Sequence, residues 1–62
     1  MDERLEGTKL GEMQKLVEEC VEDFIKANAG GKLATTRVRK RMLRVKELAL
    51  EIRKDMIEAR KK

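Results

Sequence analysis

The sequence predicts an all-α protein, a helical hairpin of a shorter and a longer helix that assembles with a second copy of itself. Three observations predict it. Apolar residues recur at steps of three and four over most of the chain. Proline is absent, and the one strong break is Asn28-Ala29-Gly30-Gly31. Charged residues make up 45% of a chain whose single aromatic is Phe24, a composition of helix formers and coiled coils. The regular apolar spacing excludes a disordered polar segment of similar composition.

Residues 1–7 show no period and end in Gly7, which predicts a flexible N-terminal tail before a single helical domain over 8–62. Thr8 is placed to cap the first helix, because its hydroxyl can accept a bond from a free first-turn amide. From there Leu10, Met13, Val17, Cys20 and Phe24 step by three and four, with Leu16, Val21 and Ile25 widening the stripe. The first helix is expected over about 8–28, and Gly11 inside it costs roughly 1 kcal/mol relative to alanine. Asn28 to Gly31 then forms a turn, since Asn and Gly tolerate the left-handed backbone that ends a helix. The second helix is expected over about 32–60, with a stripe of Val38, Met42, Val45, Ala49, Ile52, Met56 and Ala59; Leu43, Leu48 and Leu50 fall off it.

The tight turn makes the two helices antiparallel. They would span roughly 30 and 45 Å, so about ten residues of the second project beyond the first, leaving Ile52, Met56, Ile57 and Ala59 uncovered. A chain of 62 residues also buries too little surface for a robust core of its own. Cys20 is the sole cysteine and histidine is absent, so neither an internal disulfide nor a metal site can staple the fold. Association with a second chain remains. The expected assembly is a homodimeric four-helix bundle or coiled-coil-like dimer, with a tetramer or swapped hairpin as variants of the same packing. The expected core and dimer residues are Met13, Val17, Cys20, Phe24, Val38, Met42, Val45, Ala49, Ile52 and Met56.

The two arms differ in charge. Residues 1–29 carry four basic residues against eight acidic ones, and residues 30–62 carry twelve against four. The densest basic stretch runs from Arg37 to Lys46 with no acid in it. At about 100° per residue, Arg37, Lys40, Arg41 and Arg44 fall on one flank of the apolar stripe, while Arg39 and Lys46 fall on the other. A duplex carries one phosphate charge per roughly 1.7 Å of axis, so such a shoulder can meet several phosphates at once. At the start of the second helix the free amides favour an anion, and Lys32, Thr35 and Thr36 add a cation and two hydroxyls. The expected DNA-binding residues are therefore Lys32, Thr35, Thr36, Arg37, Arg39, Lys40, Arg41 and Arg44. No Asn or Gln on the basic stretch can pair with adenine, and no aromatic there can stack on unpaired bases. The expectation is binding of double-stranded DNA through phosphates without sequence preference. The rival readings are a coiled-coil interaction module whose basic face is only solvated, and binding of duplex RNA.

Catalysis is not expected. The chain has no nucleophile–base pair, no nucleotide-binding phosphate loop and no metal-ligand spacing, so no cofactor and no small-molecule substrate is predicted. Glu18, Glu19, Glu22 and Asp23 read as a solvated acidic face that can pair with cations across the hairpin or the dimer. Cys20 and the stripe methionines read as core. No apolar run approaches eighteen residues and the N-terminus lacks the order of a signal peptide, so no membrane association is expected. The free thiol suits a reducing, cytoplasmic and nucleoid-associated location.

The segment Gly30-Gly31-Lys32-Leu33-Ala34-Thr35-Thr36-Arg37-Val38-Arg39-Lys40, followed by Leu48-Ala49-Leu50-Glu51-Ile52-Arg53-Lys54, resembles the bacterial histone-like proteins of the chlamydial type, small nucleoid proteins likened to linker histones. The resemblance covers roughly residues 26–60. It implies DNA compaction with little sequence preference, with Lys32, Arg37, Arg39 and Lys40 on phosphates. Gly31 stands where the family usually has Asn, and Leu33 where it usually has Ala. Chlamydial members continue into a lysine-rich tail where this sequence ends at Lys61-Lys62, so the expectation here is a folded, shape-defined binding mode.

Overall fold

The computed structural model describes residues 2–61; Met1 and Lys62, the outermost residues of the expected tail and domain, lie outside the described residues. The described chain is all-helical. A 3-10 turn at Glu3–Leu5 precedes α1 (Lys9–Glu19), α2 (Val21–Asn28) and α3 (Lys32–Arg60). At about 1.5 Å per residue, the 29 residues of α3 nearly set the longest dimension of the molecule, which measures 48 × 22 × 13 Å. The chain is a thin rod in which α1 and α2 run back along α3.

Where the sequence predicts a flexible tail, residues 2–8 fold onto the start of α1. Asp2 caps the 3-10 turn by accepting from the Arg4 amide at 2.9 Å. Thr8 caps α1 as expected, its hydroxyl accepting from the Gly11 amide at 3.0 Å while donating to the Leu5 carbonyl at 2.6 Å. Gly11 is buried beneath this turn, and a Cβ there would collide with the Leu5 carbonyl oxygen. The residue that weakens the helix is thus the one that lets the turn close over it.

The expected single first helix is two helices laid end to end. Cys20 interrupts them with φ −96° and ψ 1°. Its amide donates to the Val17 carbonyl at 3.2 Å, tightening the last turn of α1, and its carbonyl accepts from the Phe24 amide at 2.8 Å, starting α2. The face pointing at α3 continues across the break.

The turn after α2 closes as a Schellman motif. Gly30 has φ +97°, its amide donates to the Ala27 carbonyl at 3.0 Å, and the Gly31 amide donates to the Lys26 carbonyl at 2.9 Å. Gly31 is held by space instead, since a Cβ there would sit 3.0 Å from the Lys26 carbonyl oxygen.

The core is narrow. Leu48 is fully enclosed, with Ala34 and Cys20 nearly so. Met13, Leu16 and Ala27 from the short arm, and Val38, Val45, Ala49 and Ile52 from α3, are half-buried around them. Two corrections to the sequence reading follow. Leu48, which falls off the expected stripe, is the centre of the core. Val17, Phe24, Met42 and Met56, expected in the seam, are 45%, 52%, 39% and 60% exposed. The reason is that each helix carries two adjacent apolar registers. On the short arm they share Met13 and Cys20; on α3 they share Val38, Val45 and Ile52. The hairpin closes on the register that adds Leu16, Ala27, Ala34 and Leu48, whose small residues permit close approach, and leaves the other facing out. The overhang is also shorter than expected. Lys9 Nζ lies 2.6 Å from Asp55 Oδ2, so the start of α1 reaches that far along α3 and Ile52 is half-buried.

Two glycines test this packing. Alanine at an open helix position is expected to raise stability by about 1 kcal/mol, yet Gly11→Ala should lower the thermal midpoint because the Leu5 carbonyl occupies the space. A higher midpoint would mean that the N-terminal turn does not pack there. Gly30→Ala should cost about 1–2 kcal/mol through its left-handed backbone, read as a fall of several degrees for a chain of this size.

Candidate nucleic-acid interface

One flank of the hairpin is a ladder of ion pairs. Arg37 Nη2 lies 3.1 Å from Asp23 Oδ1, and Arg41 Nη1 donates to Glu19 Oε2 at 3.0 Å. Arg44 holds Glu12 with both ends of its fork, Nε to Oε2 at 2.9 Å and Nη2 to Oε1 at 3.2 Å, and its Nη1 donates to Glu47 at 3.2 Å. Lys9–Asp55 extends the ladder with the charges exchanged between arms. As the number rises along α3 it falls along the short arm, so the ladder fits one antiparallel register. The acidic face read from the sequence is used here in part, by Glu19 and Asp23.

The eight residues expected to bind DNA therefore divide. Arg37, Arg41 and Arg44 each already face a carboxylate of the short arm. Lys32, Arg39 and Lys40 are exposed and make no ion pair among the described residues. Thr35 and Thr36 turn their hydroxyls back, donating to the carbonyls of Gly31 and Lys32 at 2.8 and 3.3 Å. Each hydroxyl oxygen keeps accepting capacity, but its proton is committed to the helix.

A second set of cations escapes a reading centred on the Arg37–Lys46 stretch. Lys32, Arg39, Lys46, Arg53 and Arg60 stand seven residues apart, two helical turns each, and so fall in one column along the outside of α3. The four acids of α3, Glu47, Glu51, Asp55 and Glu58, all lie outside that column. Beside it runs an exposed apolar line, Leu43, Leu50 and Ile57. Beyond that line stand Lys40, Lys54 and Lys61, interrupted by Glu47. A shallow depression near the end of α3 is lined by Leu50, Arg53, Lys54, Ile57, Glu58 and Lys61. The signal that finds these residues in the sequence is the seven-residue spacing of the cations, read apart from the apolar stripe.

The titration behaviour follows the pairing. The hydrogen bond to Glu12 raises the pKa of Arg44, and the hydrogen bond to Asp55 raises that of Lys9. The Arg4 side chain lowers the carboxyl of Asp2. Among the described residues, no group of His, Cys, Asp and Glu is placed to hold a metal ion, and no helix is long and apolar enough to cross a membrane. Cys20 is a buried free thiol.

The model of one protein family, described as histone H1-like protein Hc1, matches residues 8–62. The match agrees with the resemblance carried by Gly30–Lys40 and extends it over the short arm. No curated protein and no solved structure matches the chain.

The ladder's end predicts a pH response. Lys9 titrates above its ordinary 10.5 in the folded chain, so its pairing with Asp55 stabilises fully below that value and is lost as pH rises through the raised one. Asp2 titrates below its ordinary 3.8, so its contribution is present above that value and is lost as pH falls through the lowered one. Thermal midpoints of the wild type and Asp55→Asn should therefore differ at neutral pH and converge at strongly alkaline pH. A constant difference across that range would show that Lys9 is not the partner.

Proposed function

The chain belongs to the histone H1-like family described as Hc1, and from that premise we propose that it binds double-stranded DNA through its phosphates, with little sequence preference, as an architectural protein of the nucleoid. The family itself points to DNA binding and nucleoid compaction, and away from catalysis. The single observation that carries the finer reading is the charge of α3, whose exposed cations include Lys32, Arg39 and Lys40 free of ion pairs among the described residues. Phosphate contact is favoured over base reading because the exposed basic side chains are Arg and Lys, with no Asn or Gln on α3. Arg37, Arg41 and Arg44 join such contacts only by exchanging a carboxylate for a phosphate.

The reading includes self-association. The flank opposite the ion-pair ladder presents Leu10, Val17, Val21 and Phe24 from the short arm beside Met42 and Met56 from α3, all of them well exposed on the single chain. An isolated hairpin with one large side chain fully enclosed is marginal. A second copy laid on this flank completes a four-helix bundle and duplicates the basic helix.

Titration against a random duplex of about 40 base pairs tests the DNA reading. Affinity should fall by about three to five orders of magnitude between 50 and 200 mM salt if 6–10 phosphates are engaged, and should be alike for unrelated duplexes. No binding at low salt would overturn it and favour the interaction-module reading. Val17→Glu combined with Phe24→Glu should halve the solution mass while leaving the far-ultraviolet helical signal in place. An unchanged mass would place the self-contact elsewhere or remove it.

A further inference from the structure

We propose that the DNA-facing surface is the outer face of α3, organised by the column Lys32, Arg39, Lys46, Arg53 and Arg60, and that the Arg37–Arg41–Arg44 flank serves the hairpin. The inference rests on the DNA reading above and names its site.

Availability is the first argument. A cation held against a carboxylate gains little from a phosphate, because one anion merely replaces another. Arg37, Arg41 and Arg44 are in that position. The five column residues are exposed and make no ion pair among the described residues, so a phosphate there meets a full charge.

Geometry is the second. Twenty-eight residues separate Lys32 from Arg60, about 42 Å of axis, along which a duplex presents on the order of 25 charges. The drift of about 20° per seven residues is small against the reach of Arg and Lys side chains, so the column stays on one side of the helix. Lys40, Lys54 and Lys61 lie roughly 100° round from the column, on the far side of Leu43, Leu50 and Ile57. Two basic edges thus bracket a narrow apolar line. Laid along a duplex, the edges reach phosphates on the two sides of a groove, and the apolar line faces sugars, which carry no sequence information directly. The line has three residues between two charged edges, too narrow a strip to seat a helix in a lipid surface.

The apolar flank proposed for self-association adjoins this surface without covering its centre. Met42 and Met56 lie between the column and the hairpin seam, so a second copy seated on them abuts the column along one side and leaves Leu43, Leu50, Ile57 and the lysine edge beyond them open.

Two charge-matched triple variants separate the possibilities. Arg39→Gln, Lys46→Gln and Arg53→Gln remove three column cations; Arg4→Gln, Lys15→Gln and Lys26→Gln remove three cations from the acidic arm. Glutamine is a good helix former, so each variant should remain helical, which circular dichroism checks. With the same 40-base-pair duplex, the column variant should bind at least about tenfold more weakly, and its salt slope should fall by about 0.9 for each cation removed. The arm variant should keep the wild-type slope. Equal losses in both would overturn the inference in favour of net charge alone, with DNA binding itself intact. Failure of the wild type to bind duplex would instead overturn the reading on which it rests. Wild-type binding to phosphatidylglycerol vesicles that the column variant loses, with duplex binding unaffected, would also overturn it.

Discussion

The pairing of three arginines of α3 with three carboxylates of the short arm, Arg37 with Asp23, Arg41 with Glu19 and Arg44 with Glu12, is the interaction from which the other faces take their orientation. Exposed pairs of this kind add little to stability one at a time. Their weight is in selection. Both arms carry two adjacent apolar registers, and burial of a few small side chains hardly distinguishes them. Charges placed beside a seam do distinguish registers, because a rotation of either helix sets acids against apolar surface and leaves arginines unmatched. Once the ladder is in place, the second apolar register lies on the opposite flank and the seven-spaced cations lie outside.

That ordering gives the small core its meaning. Among the described residues Leu48 is the one large side chain fully enclosed, and Cys20 and Ala34 contribute little volume. Gly11 and Gly31 go further and allow backbone to meet backbone, at the N-terminal turn and at the α2–α3 connection. Close approach at these points trades side-chain burial for thinness. The result is a rod 13 Å across at its narrowest, with most of its surface outward and much of its apolar content on a flank that a second copy can cover. An independent, well-filled core would leave less of the chain for contact with something else.

Much of this was legible in residue order. The Thr8 cap, the break at Asn28–Gly31 and the antiparallel pairing follow from local chemistry, and the structure shows each. Val38, Val45 and Ile52 lie on the seam because they belong to both registers. Phe24 and Met42 lie outside the hairpin seam because periodicity gives the spacing of a stripe and not the angle at which a partner meets it. Leu48 was missed for the same reason. The interruption at Cys20 leaves no mark in composition, since Cys, Val and Glu all accept helix. On the candidate site, a dense run of arginines drew attention that pairing across the hairpin then qualified. Fourteen to thirty-two residues separate those arginines from their acids, and the sequence alone does not say which will meet.

The seven-residue cadence of α3 has a consequence for how such a chain can change length. Insertion of one residue in the middle of α3 would turn everything beyond it by about 100°, carrying Glu47 and Glu51 into the seam positions of Leu48 and Ile52. Insertion of a whole heptad would preserve every face and add one more cation to the outer column, some 10 Å further on. Variation in such a helix is thus quantised, so that related chains with longer or shorter long arms should differ by multiples of seven. Reach along a nucleic acid could then be lengthened in units without rebuilding the hairpin that supports it.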